Sequence, residues 1–390
     1  MPKSILCWLN LAADFSKLPA NSVGALASLL LFLFIPLAAN ADITSLTLES
    51  PQVAQNGTTS LLSPIHVQAT AEDTSTVTGY VVYVDNQNVY QNSRPSVDAW
   101  IVISSGNHTL SITASDAKSN ASTAIYSINV SGFAPPIPPT QSDHLLAIDN
   151  GKFTIDNAPG VGGLCNHGSL GTFSSNSDPN TGNLPSFDGR GQHFVVTSGC
   201  TYDDSLFYRK FESPTRFNGY TNFLWDFWFY IPTTTKTSSI QALEFDVFQA
   251  VPFSDGVHEF VFGTQCNYVT NHWQFWLPQG SNLTWVDTGI SPCQFTTGVW
   301  HHSTYFLQRV TPSGYQQIPN TFSSSTDTNT SLRFGTLTID GQTTYLGGVA
   351  WSTIPNPAWT AVLGVQHQLD SAVSGIVIDE YLDQSSLLSW

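Results

Sequence analysis

Apolar and polar residues alternate in short runs along most of the chain, and turn residues separate the runs. In the first third these runs are Pro64–Ala71, Gly79–Val84, Trp100–Ser104, His108–Ser115 and Thr123–Val130. Alternation with a period of two is typical of a strand that buries one face and exposes the other. No stretch shows the period of about 3.6 residues that marks a long amphipathic helix. The pattern therefore predicts an all-β protein.

The early runs are closely spaced, with turn residues such as Asp85-Asn86 between them. Short strands at this spacing predict an antiparallel sandwich over residues 42–131. The segment that follows, Phe133–Thr140, contains four prolines. A proline-rich stretch is stiff and extended, so residues 132–141 are predicted to form a linker that holds the flanking domains apart.

Alternating runs continue through residues 142–390. They are Gln192–Ser198, Ser205–Glu212, Asn222–Ile231, Ser239–Gln249, His258–Thr264, Trp273–Leu277, Val299–Val310, Gly335–Ile339, Val362–Gln368 and Gly375–Leu382. So many strands without a long helix predict one large sandwich of two sheets, a jelly roll, rather than two small domains.

The amino-terminal residues have the form of an export signal. Lys3 and Lys17 precede an apolar run over residues 23–38, and Ala39-Asn40-Ala41 is a small-x-small cleavage site. The apolar run is short for a membrane span. We expect residues 1–41 to be a cleaved signal peptide, with no membrane span in the mature chain and a secreted or cell-surface location.

Four cysteines follow this segment, and they agree with export because an even number suits disulfides. Of the three possible pairings we favour Cys165–Cys200 and Cys266–Cys293, since each pair encloses one short segment of the second domain. Neither pair has the close spacing of a zinc site.

The charge of the chain narrows the choice of partner. Twelve Lys and Arg residues stand against 28 Asp and Glu residues, for a net charge of −16. So acidic a protein is a poor ligand for nucleic acid and for polyanionic sugars. A neutral polysaccharide or glycan is the compatible polymer, and no oligomeric state is predicted.

The stretch Gln241–Gln249 carries the most distinctive chemistry. Read as a strand, it places three apolar side chains on one face and two carboxyls, Glu244 and Asp246, on the other. Two adjacent carboxylates on an apolar strand cost free energy unless a metal, a sugar, an arginine or a reaction compensates for them.

Other parts of the sequence resemble two known families. The strings Tyr80–Asn86 and Ser105–Asp116 resemble immunoglobulin-like modules of bacterial secreted proteins, which implies a spacer or adhesion module. Trp300-His301-His302, the hairpin Leu337–Gly341 and the closing Ile376–Glu380 resemble the concanavalin A-like lectin/glucanase superfamily. The second resemblance implies a concanavalin A-like jelly roll that engages carbohydrate on its concave face.

The glucanases of that superfamily have the motif Glu-x-Asp-x-x-Glu. Carried over, Glu244 would be the nucleophile and Asp246 its helper, but Gln249 stands at the acid/base position. An amide cannot donate the required proton. Asp255 or Glu259 could supply a displaced acid, so a glycoside hydrolase remains an alternative.

The legume-type lectins of the same superfamily hold a calcium–manganese pair on a related strand. The residues that would correspond here are Glu244, Asp246, Asp255 and His258. Hard cations need several oxygen ligands and this set is incomplete, so no cofactor is required and Ca or Mn binding is a minor hypothesis. A plain hydrogen-bonded polar pair is the alternative.

Aromatic residues interleaved with polar ones predict the sugar-contacting surface. One set is Asp226, Trp228 and Tyr230, a second is His272, Gln274 and Trp276, and Trp285 and Gln249 complete the candidates. Rings stack on the apolar faces of sugars and polar groups bind the hydroxyls. The leading hypothesis is therefore a glycan-binding protein, with a hydrolase and a purely structural or adhesive surface protein as alternatives.

Overall fold

The computed structural model describes most of the chain beyond the amino-terminal segment. The described residues are 43–54, 57–134, 142–156, 165, 167–174, 186–211, 217–253, 256–279, 282–310, 331–347, 350–352, 354–355 and 362–390. The predicted signal peptide, 1–41, and most of the predicted linker, 132–141, lie outside them. Among the described residues, no helix has the length and apolar character needed to cross a membrane.

Eight strands form the first sandwich. They are β1 (Ile43–Ser50), β2 (Thr58–Ser63), β3 (Ile65–Asp73), β4 (Val77–Val84), β5 (Gln87–Asn92), β6 (Ser96–Ile101), β7 (Gly106–Asp116) and β8 (Ala121–Phe133). One sheet has the order β1-β3-β6 and the other the order β2-β8-β7-β4-β5, with β2 and β8 parallel. Asp85 and Asn86 both have positive φ, as a tight β4–β5 hairpin requires.

The second sandwich contains the remaining strands. They are β9 (Asp143–Leu145), β10 (Thr154–Asp156), β11 (Gly168–Phe173), β12 (Gly191–Thr197), β13 (Asp204–Lys210), β14 (Asn222–Tyr230), β15 (Ile240–Phe253), β16 (Gly256–Phe262), β17 (Thr264–Asn267), β18 (His272–Gln279), β19 (Asn282–Asp287), β20 (Trp300–Val310), β21 (Ser331–Ile339), β22 (Gln342–Tyr345), β23 (Ala350–Ser352), β24 (Ile354–Pro355), β25 (Val362–Ser371) and β26 (Val377–Ser389). A 3-10 turn at Thr237–Ser239 precedes β15.

These strands form two sheets. Sheet I has the order β10-β13-β25-β15-β17-β18-β19, with β16 paired to β15 and β24 paired to β16. Sheet II has the order β11-β12-β26-β14-β20-β21-β22, with β23 on β21 and β9 on β26. The predicted all-β class and sandwich architecture are thus confirmed.

An aromatic core joins sheet I to sheet II. Trp225, Phe227 and Phe229 of β14 are fully buried, and the ring of Phe227 lies 5.3 Å from that of Phe245 on β15. Alternation along β14 and β15 sends every second side chain into this layer. The side chains in between are left on the outer faces of the two sheets.

Both favoured disulfides are present. Cys165 pairs with Cys200 and Cys266 pairs with Cys293. Each closes a loop within the second sandwich.

The two sandwiches touch, so the expectation that the linker would hold them apart is wrong. Val102 of the first sandwich is buried in a cluster with Phe306 and Trp390 of the second. The amide of Gln308 donates to the carbonyl of Trp100 over 2.9 Å. The apolar surface on both sides explains the contact, because burial removes it from water.

We predict that this contact couples the unfolding of the two sandwiches. In Val102→Asp a charge would be buried without a partner, at a cost of about 2 kcal/mol or more. We expect a lower melting temperature and two separated transitions in differential scanning calorimetry. The control Ile125→Asp changes a residue that is 66% exposed in the same sandwich and is expected to melt like the wild type. A single, unshifted transition in Val102→Asp would contradict the coupling.

Candidate functional site

The outer face of sheet I carries a continuous groove. One part is a cavity of about 370 Å³, lined by Leu206, Glu244, Asp246, Phe248, Glu259, Val261, Trp276, Trp285, Gln366 and Gln368. The adjoining cavity of about 470 Å³ is lined by Tyr202, Asp204, Gln241, Ala242, Gln265, Asn267, Gln274, Trp285, Gln368 and Asp370. The two cavities share Trp285 and Gln368, so we treat them as one site, called the groove.

Strand β15 places the two predicted carboxyls in the groove. Leu243, Phe245 and Val247 are buried in the core, so the intervening Glu244 and Asp246 face outward together, as the alternation predicts. The pairing with β25 is continuous from Ala242 to Ala250, which sets the carboxyls beside the amides of that strand.

The carboxyl of Asp246 is held by two donors. It accepts hydrogen bonds from the backbone N–H of Thr264 over 3.0 Å and from the side-chain amide of Gln366 over 2.9 Å. Burial nevertheless raises the pKa of Asp246 to about 7. The hydrogen bonds offset only part of the cost of removing the charge from water.

Glu244 is more strongly perturbed. Burial, followed by the neighbouring charges of Asp370 and Asp246, raises the pKa of Glu244 well above its ordinary value. Its Oε1 atom accepts no hydrogen bond from the described residues. A protonated carboxyl, unlike a carboxylate, can both donate and accept hydrogen bonds.

Two further carboxyls in the groove were not predicted from the sequence. Asp204 on β13 lies directly opposite Asp370 on β25. Burial and then the charge of Asp204 raise the pKa of Asp370 to about 8, and burial and then the charge of Asp203 raise that of Asp204 to about 7. A signal existed in the sequence: Gln366, Gln368 and Asp370 occupy every second position of β25, where His367 and Leu369 separate them.

Aromatic rings and amides line the part of the groove that is formed by β17, β18 and β19. Trp276 and Trp285 are cross-strand partners on β18 and β19, with ring centroids 5.1 Å apart. Gly263 leaves room for Trp276, because a Cβ there would lie 2.5 Å from the Trp276 Cβ. Gln274, predicted as a sugar contact, accepts a hydrogen bond from the side-chain amide of Gln265. The predicted residues Gln274, Trp276 and Trp285 thus do line the groove.

Gln249 does not face the groove, which corrects the assignment of this residue to the sugar-contacting surface. It is completely buried on the core side of β15, where it lies opposite Phe260. Its Oε1 accepts from the guanidinium of Arg309 over 3.0 Å, and its Nε2 donates to the carbonyl of Phe217 over 2.6 Å. Strict alternation along β15 puts position 249 with Val247 rather than with Asp246.

Asp226, Trp228 and Tyr230 lie elsewhere, on the outer face of sheet II. Trp228 stacks on His302 with ring centroids 4.7 Å apart, and Asp226 accepts from the His302 ring over 2.9 Å. Their neighbours Phe227 and Phe229 fill the core between the sheets. The two aromatic sets therefore lie on opposite faces of the sandwich and do not form a shared groove.

Of the remaining predicted residues that the structure describes, one lines the groove and the others do not. Glu259 lines the groove. His272 does not line it and instead contacts the carboxylate of Asp287 over 2.9 Å. His258 is buried and lies opposite the core residue Val251, so it faces away from Glu244. Asp255 lies outside the described residues.

The predicted metal set is accordingly not brought together by the part of the chain that the structure describes. A different cluster, Asp149, Asp188 and Asp383, has carboxylate oxygens within 4.8 Å of one another. Those oxygens accept hydrogen bonds from backbone N–H groups, such as that of Ser385 to Asp149 and that of Phe187 to Asp383.

No protein-family model matches this chain, and no curated protein matches it. Solved structures that are similar to this chain include one on the promiscuous specificity of carbohydrate-binding modules from the β-sandwich superfamily, at 13% identity over 87% of this chain and 95% of that one, with a TM-score of 0.24. An endo-1,3-beta-glucanase from Streptomyces sioyaensis matches at 12% identity over 66% of this chain and 99% of that one, with a TM-score of 0.29. The lectin UEA-II complexed with galactose matches at 9% identity over 64% of this chain and 98% of that one, with a TM-score of 0.28.

The buried carboxyls predict that rising pH destabilises the protein. An aspartate in the unfolded chain titrates near pH ~3.9, whereas the pKa of Asp246 is about 7 and that of Asp370 about 8 in the folded protein. The folded state therefore keeps protons that the unfolded state releases. This contribution to stability is complete below about pH 4 and is lost as the pH rises through about 8.

The variant Asp370→Asn tests this expectation, because asparagine keeps the shape of the carboxyl and cannot ionise. We expect it to melt several degrees above the wild type at pH 9 and close to it at pH 4, as measured by differential scanning fluorimetry. The control Glu72→Gln removes an exposed carboxyl and is expected to leave the pH dependence unchanged. An Asp370→Asn protein with the wild-type pH dependence would rule the mechanism out.

Proposed function

We propose that the protein binds carbohydrate, and specifically neutral glycan, in the groove of sheet I. The observation that carries the proposal is the pairing of the Trp276 and Trp285 rings with a row of side-chain amides across the same face. Sugar rings present apolar C–H faces, which stack on indoles, and hydroxyls, which both donate and accept hydrogen bonds. The groove offers both kinds of contact side by side.

The carboxyls support a neutral ligand. Those of Glu244 and Asp370 have raised pKa values because they are buried and surround one another. A polyanionic sugar would add further negative charge beside these buried carboxyls, where water screens the repulsion poorly. A neutral hydroxyl adds no charge and can pair with either protonation state.

Export and domain roles complete the proposal. Residues 1–41 have the pattern of a signal peptide, and two disulfides suit an extracellular location. We assign residues 42–131 to an immunoglobulin-like module, 132–141 to a linker and 142–390 to a concanavalin A-like jelly roll. In this arrangement the first sandwich supports the glycan-binding one through the contact at Val102.

Substituting the indoles tests the binding function. We expect Trp276→Ala and Trp285→Ala each to weaken binding to a soluble neutral β-glucan roughly tenfold or more, since each removes a stacking surface. Affinity electrophoresis against a panel of neutral polysaccharides, followed by calorimetry, measures the change. The matched control is Trp228→Ala, which removes a tryptophan from the opposite face. Unchanged binding in both groove variants, or equal losses in all three, would contradict the proposal.

A glycoside hydrolase is the second candidate, because Glu244 shares the groove with other carboxyls, among them Asp370 and Glu259. Two carboxyls across a glycosidic bond are the minimum for hydrolysis. Reducing-sugar release from the polysaccharide that binds, compared between the wild type and Glu244→Gln, separates the two functions. Release that vanishes in Glu244→Gln would establish hydrolysis. Binding without release would leave the glycan-binding function alone, and neither binding nor release would favour a structural role.

A further inference from the structure

A second chemical cluster lies outside the groove, at the Cys165–Cys200 disulfide. The Cys165 sulfur, an imidazole nitrogen of His167 and a carboxylate oxygen of Asp203 all lie within 4.8 Å of one another. The glycan-binding function uses none of these atoms. In cysteine chemistry a thiolate is stabilised by a neighbouring imidazole, which a carboxylate in turn holds in place.

The imidazole is held in place by several independent contacts. The Asp203 carboxylate is fully buried and lies 2.7 Å from Nδ1 of His167, and it also accepts from the backbone N–H of His167 and of Gly199. Position 199 must be glycine for the ring to lie there, because a Cβ would come within 2.6 Å of the His167 Cε1. The ring itself is 53% exposed, so solvent and a small thiol can reach it.

The two disulfides differ in accessibility. Cys165 and Cys200 are both partly exposed, whereas Cys266 is completely buried and Cys293 is 4% exposed. Attack by an external thiol requires access along the S–S axis and a leaving sulfur that can carry negative charge. Among the described residues, only the Cys165–Cys200 disulfide is both partly exposed and close to a histidine–aspartate pair.

We propose that Cys165–Cys200 is a thiol–disulfide exchange site, with small dithiols as its substrate class and His167 stabilising the Cys165 thiolate. An external thiolate attacks the Cys200 sulfur, the S–S bond breaks, and its electron pair leaves on the Cys165 sulfur beside the imidazole of His167. The second thiol of the dithiol then attacks the mixed disulfide and releases Cys200. The protein disulfide gains two electrons and two protons in total, and the dithiol is oxidised to a cyclic disulfide.

The native protein tests the site directly. It is treated with dithiothreitol, quenched with iodoacetamide and analysed by peptide mass spectrometry. We expect Cys165–Cys200 to be reduced at least about tenfold faster than Cys266–Cys293, the scale given by an accessible disulfide with a stabilised leaving thiolate. Equal rates for the two disulfides would overturn the proposal.

The role of His167 is tested by the variant His167→Gln, with His302→Gln as the matched control because His302 is also partly exposed and paired with an aspartate. We expect His167→Gln to slow reduction of Cys165–Cys200 about tenfold and the control to leave it unchanged. An unchanged or faster rate in His167→Gln would overturn the assignment.

A readout that needs no variant is the position of the trapped intermediate. With the monothiol glutathione, the wild-type adduct is expected on Cys200, with Cys165 left as the free thiol that iodoacetamide labels. A mere loss of local packing would not favour one cysteine over the other. An adduct divided equally between Cys165 and Cys200 would refute the proposed role of the imidazole. None of these measurements depends on glycan binding.

Discussion

The packing of β15 against the aromatic core determines both the fold of the second sandwich and the chemistry of its groove. Phe245 lies among the rings of Phe227, Phe229 and Tyr305 between the two sheets. Because side chains on a strand alternate, burying Phe245 leaves Glu244 and Asp246 no position except the outer face. A slip of one residue would bury both carboxyls in the core, which makes the register strongly specified.

Four acidic side chains that are buried close together determine the chemistry of the groove. Glu244, Asp246, Asp204 and Asp370 come from three neighbouring strands, and burial raises the pKa of each. Holding protons lowers their mutual repulsion and turns acceptors into groups that also donate. With amides between them, the surface presents both donors and acceptors of hydrogen bonds. Hydroxyl groups also do both, and they are the ligand groups that we propose for this surface.

The sequence predicts the structure well where the relevant pattern is local. Alternation identified many of the strands, such as β7, β14 and β25, and the outward face of β15, but it missed others, such as β1, β2 and β5. The spacing of the cysteines identified the two disulfides. Prediction failed where the answer depends on which strands are neighbours: Trp228 and Trp276 have similar patterns but lie on different sheets. Alternation shows which side chains share a face of one strand, whereas sheet membership depends on contacts between distant parts of the chain. The Asp204–Asp370 pair was missed for the same reason.

Gln249 shows how a motif can mislead when its geometry is assumed. The glucanase motif needs its last acid on the same face as its first, but β15 continues without a bulge through this position and sends Gln249 into the core. There its oxygen binds the buried guanidinium of Arg309, and its nitrogen donates to the carbonyl of Phe217. A carboxylate could replace the acceptor but not the donor, so an amide satisfies both partners where an acid would leave one unpaired. Gln249 therefore stabilises the core through its hydrogen bonds. The chemistry of the groove depends instead on the carboxyls that face it.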